Sequence, residues 1–281
     1  MGYYSRHIQY RSRVNLSASL TWHGAGAILK GRYIMARSTR ETEGESPLHA
    51  ANLERLSPVA ENYLLSLYVL GEEGLRATVV QLAEHLKSLP AGEGLGTTLP
   101  SVLAMLKRMA REGLLELTVE REVKLTPYGV VQAEGMVRRH RLAERMVVDL
   151  LGLELHKAHV EAHRLEHAIS PDLEVLIKER LGNPTTCPFG GPIPGSGYIP
   201  PPGLKLALDQ VQPGVDYCVD RVPEEDPELL RFLVEHGILP RRTITVVEAS
   251  PHRGIITVKT EHGESALGYS VAAHIRVRPC E

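Results

Sequence analysis

The chain of 281 residues has little cysteine, no long apolar run and almost no net charge. Its three cysteines, Cys187, Cys218 and Cys280, form no CxxC pair, which argues against a zinc ribbon or a thiol redox site. Such a sparse and odd set is typical of a reducing compartment, so we expect a cytoplasmic protein. No apolar run reaches the roughly 18 residues that a membrane span requires, so we expect no membrane partner. The formal net charge of -2 excludes a uniformly basic nucleic-acid binder but allows one basic surface.

Histidine and glutamate, by contrast, are concentrated between Arg138 and His167, in the stretch RRHRLAERMVVDLLGLELHKAHVEAHRLEH. In the second of two predicted helices, potential ligands fall within an arc of roughly 100° when successive residues are placed about 100° apart. These ligands are His156, His159, His163, Glu166 and His167. His140 and Glu144 share a face of the preceding helix because they are one turn apart. Imidazole and carboxylate bind first-row divalent metals, so the pattern predicts a metal site; a solvated, histidine-rich face is the alternative.

Common catalytic motifs are missing. The segment His159-Val-Glu-Ala-His163 is not HExxH, and its Glu161 points away from the histidine face. The chain also has no nucleophile elbow and no phosphate-binding glycine loop. We therefore expect no enzyme activity; a metalloenzyme whose histidines hold a catalytic metal with an open position is the competing interpretation.

Residues 1–55 differ from the rest of the chain. Residues 1–40 contain several Arg and Lys but no Asp or Glu, and the acidic stretch Glu41–Glu45 follows. An Arg-rich, acid-poor start suits a transit peptide, and translation from Met35 is another explanation. We favour a disordered or non-native tail without an assigned function.

Residues 56–127 predict three helices followed by a short hairpin. Helix starts are indicated by Ser57-Pro58, Thr78 and Pro100, and two short alternating runs then predict the strands. This order is typical of a winged helix-turn-helix, whose third helix enters the DNA major groove. An all-helical interaction domain with a solvated basic face is the alternative. The candidate DNA contacts are Pro100, Ser101, Lys107, Arg108, Arg111, Arg121 and Lys124, the basic ones for phosphates.

The remaining chain divides into three predicted parts. Residues 128–182 are helical, and the apolar stripe from Val130 to Val147 would suit dimerisation or the protein's own core. Residues 183–203 are rich in proline and glycine and predict a linker. Residues 204–281 predict short strands interrupted by one helix, as in a small β-barrel; a sandwich fragment is the alternative.

Three motifs in this order resemble the DtxR/MntR family of metal-dependent (iron/manganese) transcriptional repressors. They are Arg139-HRLAER, Glu161-AHRLEH and Cys187-PFGGPIPG, and the resemblance runs from about Ser57 to the C-terminus. It implies a fold that is mainly α with small β parts: an N-terminal winged helix-turn-helix, a helical dimerisation and metal-binding domain, and a C-terminal SH3-like (FeoA-like) β-barrel. It also implies a homodimeric, metal-activated repressor that binds palindromic double-stranded operator DNA.

The resemblance further implies two metal sites. The ancillary site would contain His140, Glu144 and His159, with Asp226 or Glu228 as an acidic ligand from the SH3-like domain. The primary, activating site would contain Asn62, His163, Glu166 and His167. Asn62 stands where the family usually has Met or Asp, and His163 where it has Cys or Glu.

The primary site therefore offers only oxygen and nitrogen donors. Such a site suits Mn(II) or Fe(II), whereas Co(II), Ni(II) and Zn(II) would bind more tightly on affinity alone, for example in vitro. A metal held both by Asn62 and by the helical domain would fix the orientation of the DNA-binding domain. A winged-helix regulator that responds to something else, with structural metal sites, is the alternative.

Overall fold

The computed structural model describes residues 56–75, 77–89, 95–119, 122–203 and 205–280. The predicted tail, residues 1–55, and the predicted DNA contact Arg121 lie outside these ranges. None of the helices in the described ranges is both long and apolar enough to cross a lipid bilayer.

The N-terminal part consists of three helices and a hairpin. The helices are α1 (Pro58–Glu72), α2 (Val79–Ser88) and α3 (Leu99–Arg111), and the antiparallel strands are β1 (Leu115–Leu117) and β2 (Val123–Leu125). Ser57, Thr78 and Thr98 cap the three helices, each accepting a hydrogen bond from a first-turn backbone N–H. Apolar side chains from the helices and both strands then form one shared core.

A long helix, α4 (Pro127–Arg145), begins in close contact with the end of the α3–β1 connection. A Cβ atom at Gly129 would lie 1.8 Å from the carbonyl oxygen of Leu114, so only glycine permits this approach. The Thr126 hydroxyl accepts a hydrogen bond from the Gly129 N–H and donates one to the carbonyl of Gly113. These contacts fix the start of α4 against the N-terminal part.

Helix α4 continues into one π-helical turn, Met146–Leu150, before the histidine-rich segment. This segment comprises α5 (Leu155–Leu165) and a 3-10 turn (Glu166–Ala168), and α6 (Pro171–Arg180) follows. Buried Met136 and Val137 of α4 pack against α1. The predicted apolar stripe is thus largely intramolecular core, although Val130 and Val131 remain exposed.

The predicted linker, residues 183–203, is irregular but firmly packed. Cys187, Phe189 and Ile193 are each at most 2% exposed. A Cβ atom at Gly190 would lie 1.9 Å from the carbonyl oxygen of Asp220, so glycine lets the segment lie directly against the strand that contains Asp220.

An antiparallel sheet forms the C-terminal part. Its strands are β3 (Leu206–Ala207), β4 (Asp216–Arg221), β5 (Thr243–Ser250), β6 (Ile255–Thr260), β7 (Gly263–Gly268) and β8 (Arg276–Pro279), in the spatial order β3-β8-β4-β5-β6-β7. Helix α7 (Pro227–Glu235) connects β4 to β5, and the short α8 (Tyr269–Ala272) precedes β8. The core of the sheet includes Val147 and Ala158 of the helical part, so the two parts share buried surface.

Candidate metal centre and nucleic-acid interface

Four buried side chains from three elements meet beside α5. His140 and Glu144 come from α4, His159 from α5 and Glu224 from the segment before α7, and one donor atom from each lies within 4.8 Å of all the others. His140 Nε2 is 2.9 Å from Glu144 Oε1 and 3.2 Å from His159 Nδ1. We call these four residues the His140 group.

A second set of donors lies directly beside the first. His163 Nδ1 is 3.1 Å from Glu166 Oε1, and the other oxygen of Glu166 contacts His140 Nδ1. His140, His159 and His163 also hold donor atoms within 4.8 Å of one another. The predicted ancillary and primary ligands are therefore adjacent, and His140 contacts both sets.

The third part of the arrangement ties α1 to this region. His167 Nδ1 lies 2.6 Å from Glu61 Oε2, and His167 Nε2 lies 3.5 Å from Glu166 Oε1. Asn62, the next residue of α1, is fully buried. Glu61 also accepts a hydrogen bond from Arg139 of α4. The Glu61 carboxylate, which was not among the predicted ligands, therefore connects α1 both to α4 and to His167.

The donor atoms fit a divalent cation. Glu144 Oε2, His159 Nε2 and His163 Nε2 are buried, and the described residues provide no hydrogen-bond partner for them. Buried polar atoms are nearly always bonded, so three such atoms in one region indicate a missing partner of positive charge. Imidazole nitrogen and carboxylate oxygen are common ligands of first-row metals.

Burial and charge interactions set the protonation of the candidate ligands, and they favour the metal-binding form for His163 and Glu166 but not for His140. Burial lowers the pKa of His163 to about 4, which leaves its ring neutral. Burial opposes ionisation of Glu166, but the nearby His140 and His163 lower its pKa to about 2. Burial also opposes the charged form of His140, yet Glu144 and Glu166 raise the pKa of its ring well above the ordinary value. A proton on His140 thus stabilises the carboxylates, and a metal there would compete with it.

The predicted acidic ligands Asp226 and Glu228 are not brought into the His140 group. Asp226 caps α7 and accepts hydrogen bonds from the N–H groups of Glu228 and Leu229. The Glu228 side chain is 78% exposed and pairs with Arg231. Glu224, which is 3% exposed, occupies the expected place instead. The Asp226-Pro227 pair is a typical helix start, and this already indicates a capping role for Asp226.

His156, included in the predicted stripe, also lies apart from both donor sets. Its side chain is 12% exposed, and its nearest carboxylate is Glu154, at 4.0 Å. It lies in the first turn of α5, before the two histidines of this helix that converge, His159 and His163.

The predicted DNA contacts lie on an exposed surface. Pro100, Ser101, Lys107, Arg108 and Arg111 of α3 and Lys124 of β2 are all exposed. Arg108 pairs with Glu112 at 2.8 Å and Lys124 with Glu122 at 3.4 Å, both on the surface. Exposed pairs of this kind are weak, so these cations remain available to phosphates.

Comparison with known proteins finds two family models that match parts of the chain. Residues 126–195 match the model "Iron dependent repressor, metal binding and dimerisation domain", and residues 206–279 match the FeoA domain. The chain is 35% identical over 237 residues to the iron-dependent repressor IdeR of Mycobacterium tuberculosis, which covers 80% of this chain and 99% of that protein. It is 38% identical over 163 residues to the diphtheria toxin repressor of Corynebacterium glutamicum, covering 58% of this chain and 66% of that protein.

Solved structures show the same likeness. A manganese-dependent transcriptional repressor in complex with manganese has a TM-score of 0.69 at 31% identity, covering 79% of this chain and all of that chain. The repressor ScaR with bound Zn2+ has a TM-score of 0.64 at 27% identity, covering 79% of this chain and 99% of that chain.

Fold and relatives define the class as a metal-dependent transcriptional repressor rather than an enzyme. The chain belongs to the DtxR/MntR family. The predicted fold class is confirmed: the protein is mainly α, and its C-terminal sheet is the SH3-like FeoA domain.

Proposed function

We propose that the chain binds palindromic operator DNA as a homodimer when Mn(II) or Fe(II) occupies the buried histidine and glutamate sites. The observation that supports the proposal is the convergence of these side chains. Three of their buried donor atoms have no hydrogen-bond partner in the described part of the chain. The chain is similar both to a relative named for iron and to one named for manganese, so both ions remain candidates for the activating metal.

The ancillary site in this proposal is the His140 group, with Glu224 preferred to Asp226 or Glu228. The primary site comprises Asn62, His163, Glu166 and His167. A bound divalent cation supplies positive charge among carboxylates that are otherwise balanced by a proton on His140. Residues 56–127 would act as the DNA-binding domain, 128–182 as the metal-binding and dimerisation domain, 183–203 as a linker and 204–281 as the SH3-like domain.

Side chains of the protein itself connect the primary site to DNA binding. Asn62 and Glu61 belong to α1, which shares its core with the exposed recognition helix α3. Glu61 holds His167 at 2.6 Å, so the orientation of α1 depends on the position of a proposed ligand. Ligand geometry at the metal site and the placement of α3 are therefore coupled, and by linkage operator DNA should strengthen metal binding.

An exposed apolar patch supports the homodimer. Leu151 at the end of the π-helical turn is 70% exposed, and Leu176 of α6 is 61% exposed. Leu150, Leu173 and Val175 are also exposed, at 44%, 43% and 54%. Leu150, Leu173 and Leu176 line one surface depression. An exposed apolar surface of this kind typically marks a protein interface, and it lies in the part that matches the dimerisation model.

The test is fluorescence anisotropy of labelled duplex DNA from the region upstream of this protein's own gene. We expect binding with Mn(II), or with Fe(II) under anaerobic conditions, and loss of binding when a chelator removes the metal. If the upstream DNA does not bind, operator sites are selected from random duplexes with the same metals. Equal binding in chelator, or failure to select any site, would contradict the proposal.

Variants separate metal activation from folding. His163→Ala and Glu166→Ala should weaken metal-dependent DNA binding by about 10- to 100-fold, the range expected for coupling between two sites. His156→Ala is the matched control, since His156 lies on the same helix but outside both donor sets. Circular dichroism checks that all three variants fold. Wild-type activation in either ligand variant would exclude the primary-site assignment.

A further inference from the structure

A cavity of about 450 Å³ lies between the packed linker and the C-terminal sheet, away from the proposed metal ligands. Its wall includes Thr186 and Tyr198 of the linker and Asp220 of β4. The volume is within the range of small-molecule sites, which is roughly 300–1,000 Å³. The proposed repressor mechanism gives this cavity no role.

Three arginines and one carboxylate residue are among the described residues that line the cavity. The arginines are Arg145 at the end of α4, Arg241 before β5, and Arg278 of β8. The carboxylate is Asp220, whose Oδ1 accepts a hydrogen bond from Arg278 Nε at 3.0 Å. Arg145 also pairs with Asp149, which does not line the cavity, at 3.3 Å. Arg241 therefore supplies the positive charge of the wall that no carboxylate in the described residues balances.

Two of the arginines are held in place by the protein. Arg145 donates hydrogen bonds to the carbonyl oxygens of Thr186 and Cys187, at 2.8 and 3.1 Å. Arg278 is oriented by Asp220 and by the sulfur of Cys218. Because each guanidinium has five N–H donors, both retain donors that an anion can use.

Arg241 is placed at a cost to the backbone. The Arg242 N–H donates to the carbonyl of Leu239, which closes a turn with Pro240 and Arg241 at its centre. Arg241 has φ +68°, a left-handed conformation that favours glycine at this third position of a turn after proline. Its only hydrogen bond from the side chain within the described residues is a long one, 3.5 Å, to Thr186 Oγ1.

Strain of this kind is concentrated at active sites and ligand-binding sites. A glycine would relax the turn, but it would remove the guanidinium that completes the basic wall. No described carboxylate lies within salt-bridge distance of Arg241, in contrast to its neighbour Arg242, which pairs with Glu261 at 3.2 Å.

We propose that this cavity binds a small multivalent oxyanion, a polyphosphate or a polycarboxylate, between Arg145, Arg241 and Arg278. Guanidinium groups bind phosphate and carboxylate oxygens through paired N–H donors, and they keep their charge at all physiological pH values. The Thr186 hydroxyl is a further donor. A multivalent ligand is favoured over a monovalent one because more than one cation faces the same space.

The experiment is isothermal titration calorimetry of the full chain with three ligands: pyrophosphate, citrate and, as the smallest anion, inorganic phosphate. Metal-free protein is used because pyrophosphate and citrate chelate divalent cations. We expect saturable binding with a Kd below about 1 mM for at least one of the first two probes. Preference between pyrophosphate and citrate then identifies the phosphate or the carboxylate class.

Arg241→Gly should weaken this binding at least about tenfold, while its melting temperature stays equal to or above that of the wild type, because the turn is relaxed. Arg241→Asn, which also tolerates the left-handed conformation, should give the same loss and serves as a second variant. Arg242→Ala, which removes the adjacent surface arginine, should bind like the wild type. Absence of binding to every probe, or undiminished binding in both Arg241 variants, would overturn the proposal.

Discussion

Glu72 and Glu73 are neighbours at the end of α1, but their surroundings are opposite. Glu72 accepts hydrogen bonds from Arg141 of α4 and Arg221 of β4, each at 2.9 Å. Burial alone would raise the pKa of Glu72, but the two arginines lower it. Burial raises the pKa of Glu73, and the nearby Glu225 raises it further. One carboxylate is therefore stabilised by its partners, and the other is not.

We predict that Glu72→Gln lowers the free energy of unfolding by about 3 kcal/mol, because it leaves the buried guanidinium of Arg141 without its counter-charge. Glu73→Gln is the matched control and should be neutral or slightly stabilising. Urea denaturation at pH 7 measures both. Because the pKa of Glu72 is lower in the folded state, its contribution is lost as the pH falls, so the difference between wild type and Glu72→Gln should shrink in acid. Equal losses in the two variants would contradict this account.

At the level of single residues, spacing and resemblance predicted much of the candidate site but not its acidic member from the C-terminal part. His140, Glu144 and His159 are brought together as expected, whereas Glu224 takes the place given to Asp226 or Glu228. Helical spacing places residues on a face of their own helix only. The neighbour that reaches this face from another domain depends on tertiary packing, which one sequence does not specify.

At the level of elements, the contact at Gly129 shows how one position fixes a helix. We predict that Gly129→Ala lowers the free energy of unfolding by about 2 to 3 kcal/mol, because the new methyl group would overlap the carbonyl of Leu114. Gly135→Ala, on the same helix, has no atom nearer than 3.9 Å and should stabilise by about 0.5 to 1 kcal/mol. Urea denaturation of the two variants measures this; a stable Gly129→Ala protein would show that α4 can shift without cost.

Capped helices were predictable as elements, and weak strands were not. Ser57 and Thr78 mark helix starts by their chemistry, and each caps as expected. Strand β7 contains glycine, glutamate and alanine, which have low strand propensity, and its pairing with β6 defines it. The linker composition predicted irregular structure correctly, but its burial follows from contacts with β4 that composition does not contain.

At the level of the whole molecule, the exposed patch on α6 predicts how copies associate. Leu176→Asp should shift the protein from dimer to monomer in sedimentation velocity, because it places a charge in an apolar interface. Val247→Asp, at an exposed position of β5, is the control and should leave the dimer intact. A monomeric wild-type protein, or a dimeric Leu176→Asp variant, would remove this surface from the proposed interface.

The order of parts along the whole chain was predictable because each part has its own periodicity and composition. Their mutual arrangement was not, since the shared cores and the Glu72 contacts join residues more than 60 positions apart. The close approach of the C-terminal sheet to α5 is of this kind.

His140 presents one ring nitrogen to Glu144 and the other to Glu166, so it belongs to both donor sets at once. If the two proposed metal sites share this residue, metal binding at one site affects binding at the other. A metal titration of this protein would then give two apparent constants that describe the pair, not either site. Replacing a ligand of one site would change the affinity measured at the other, and the response to rising metal would be a property of the whole buried cluster.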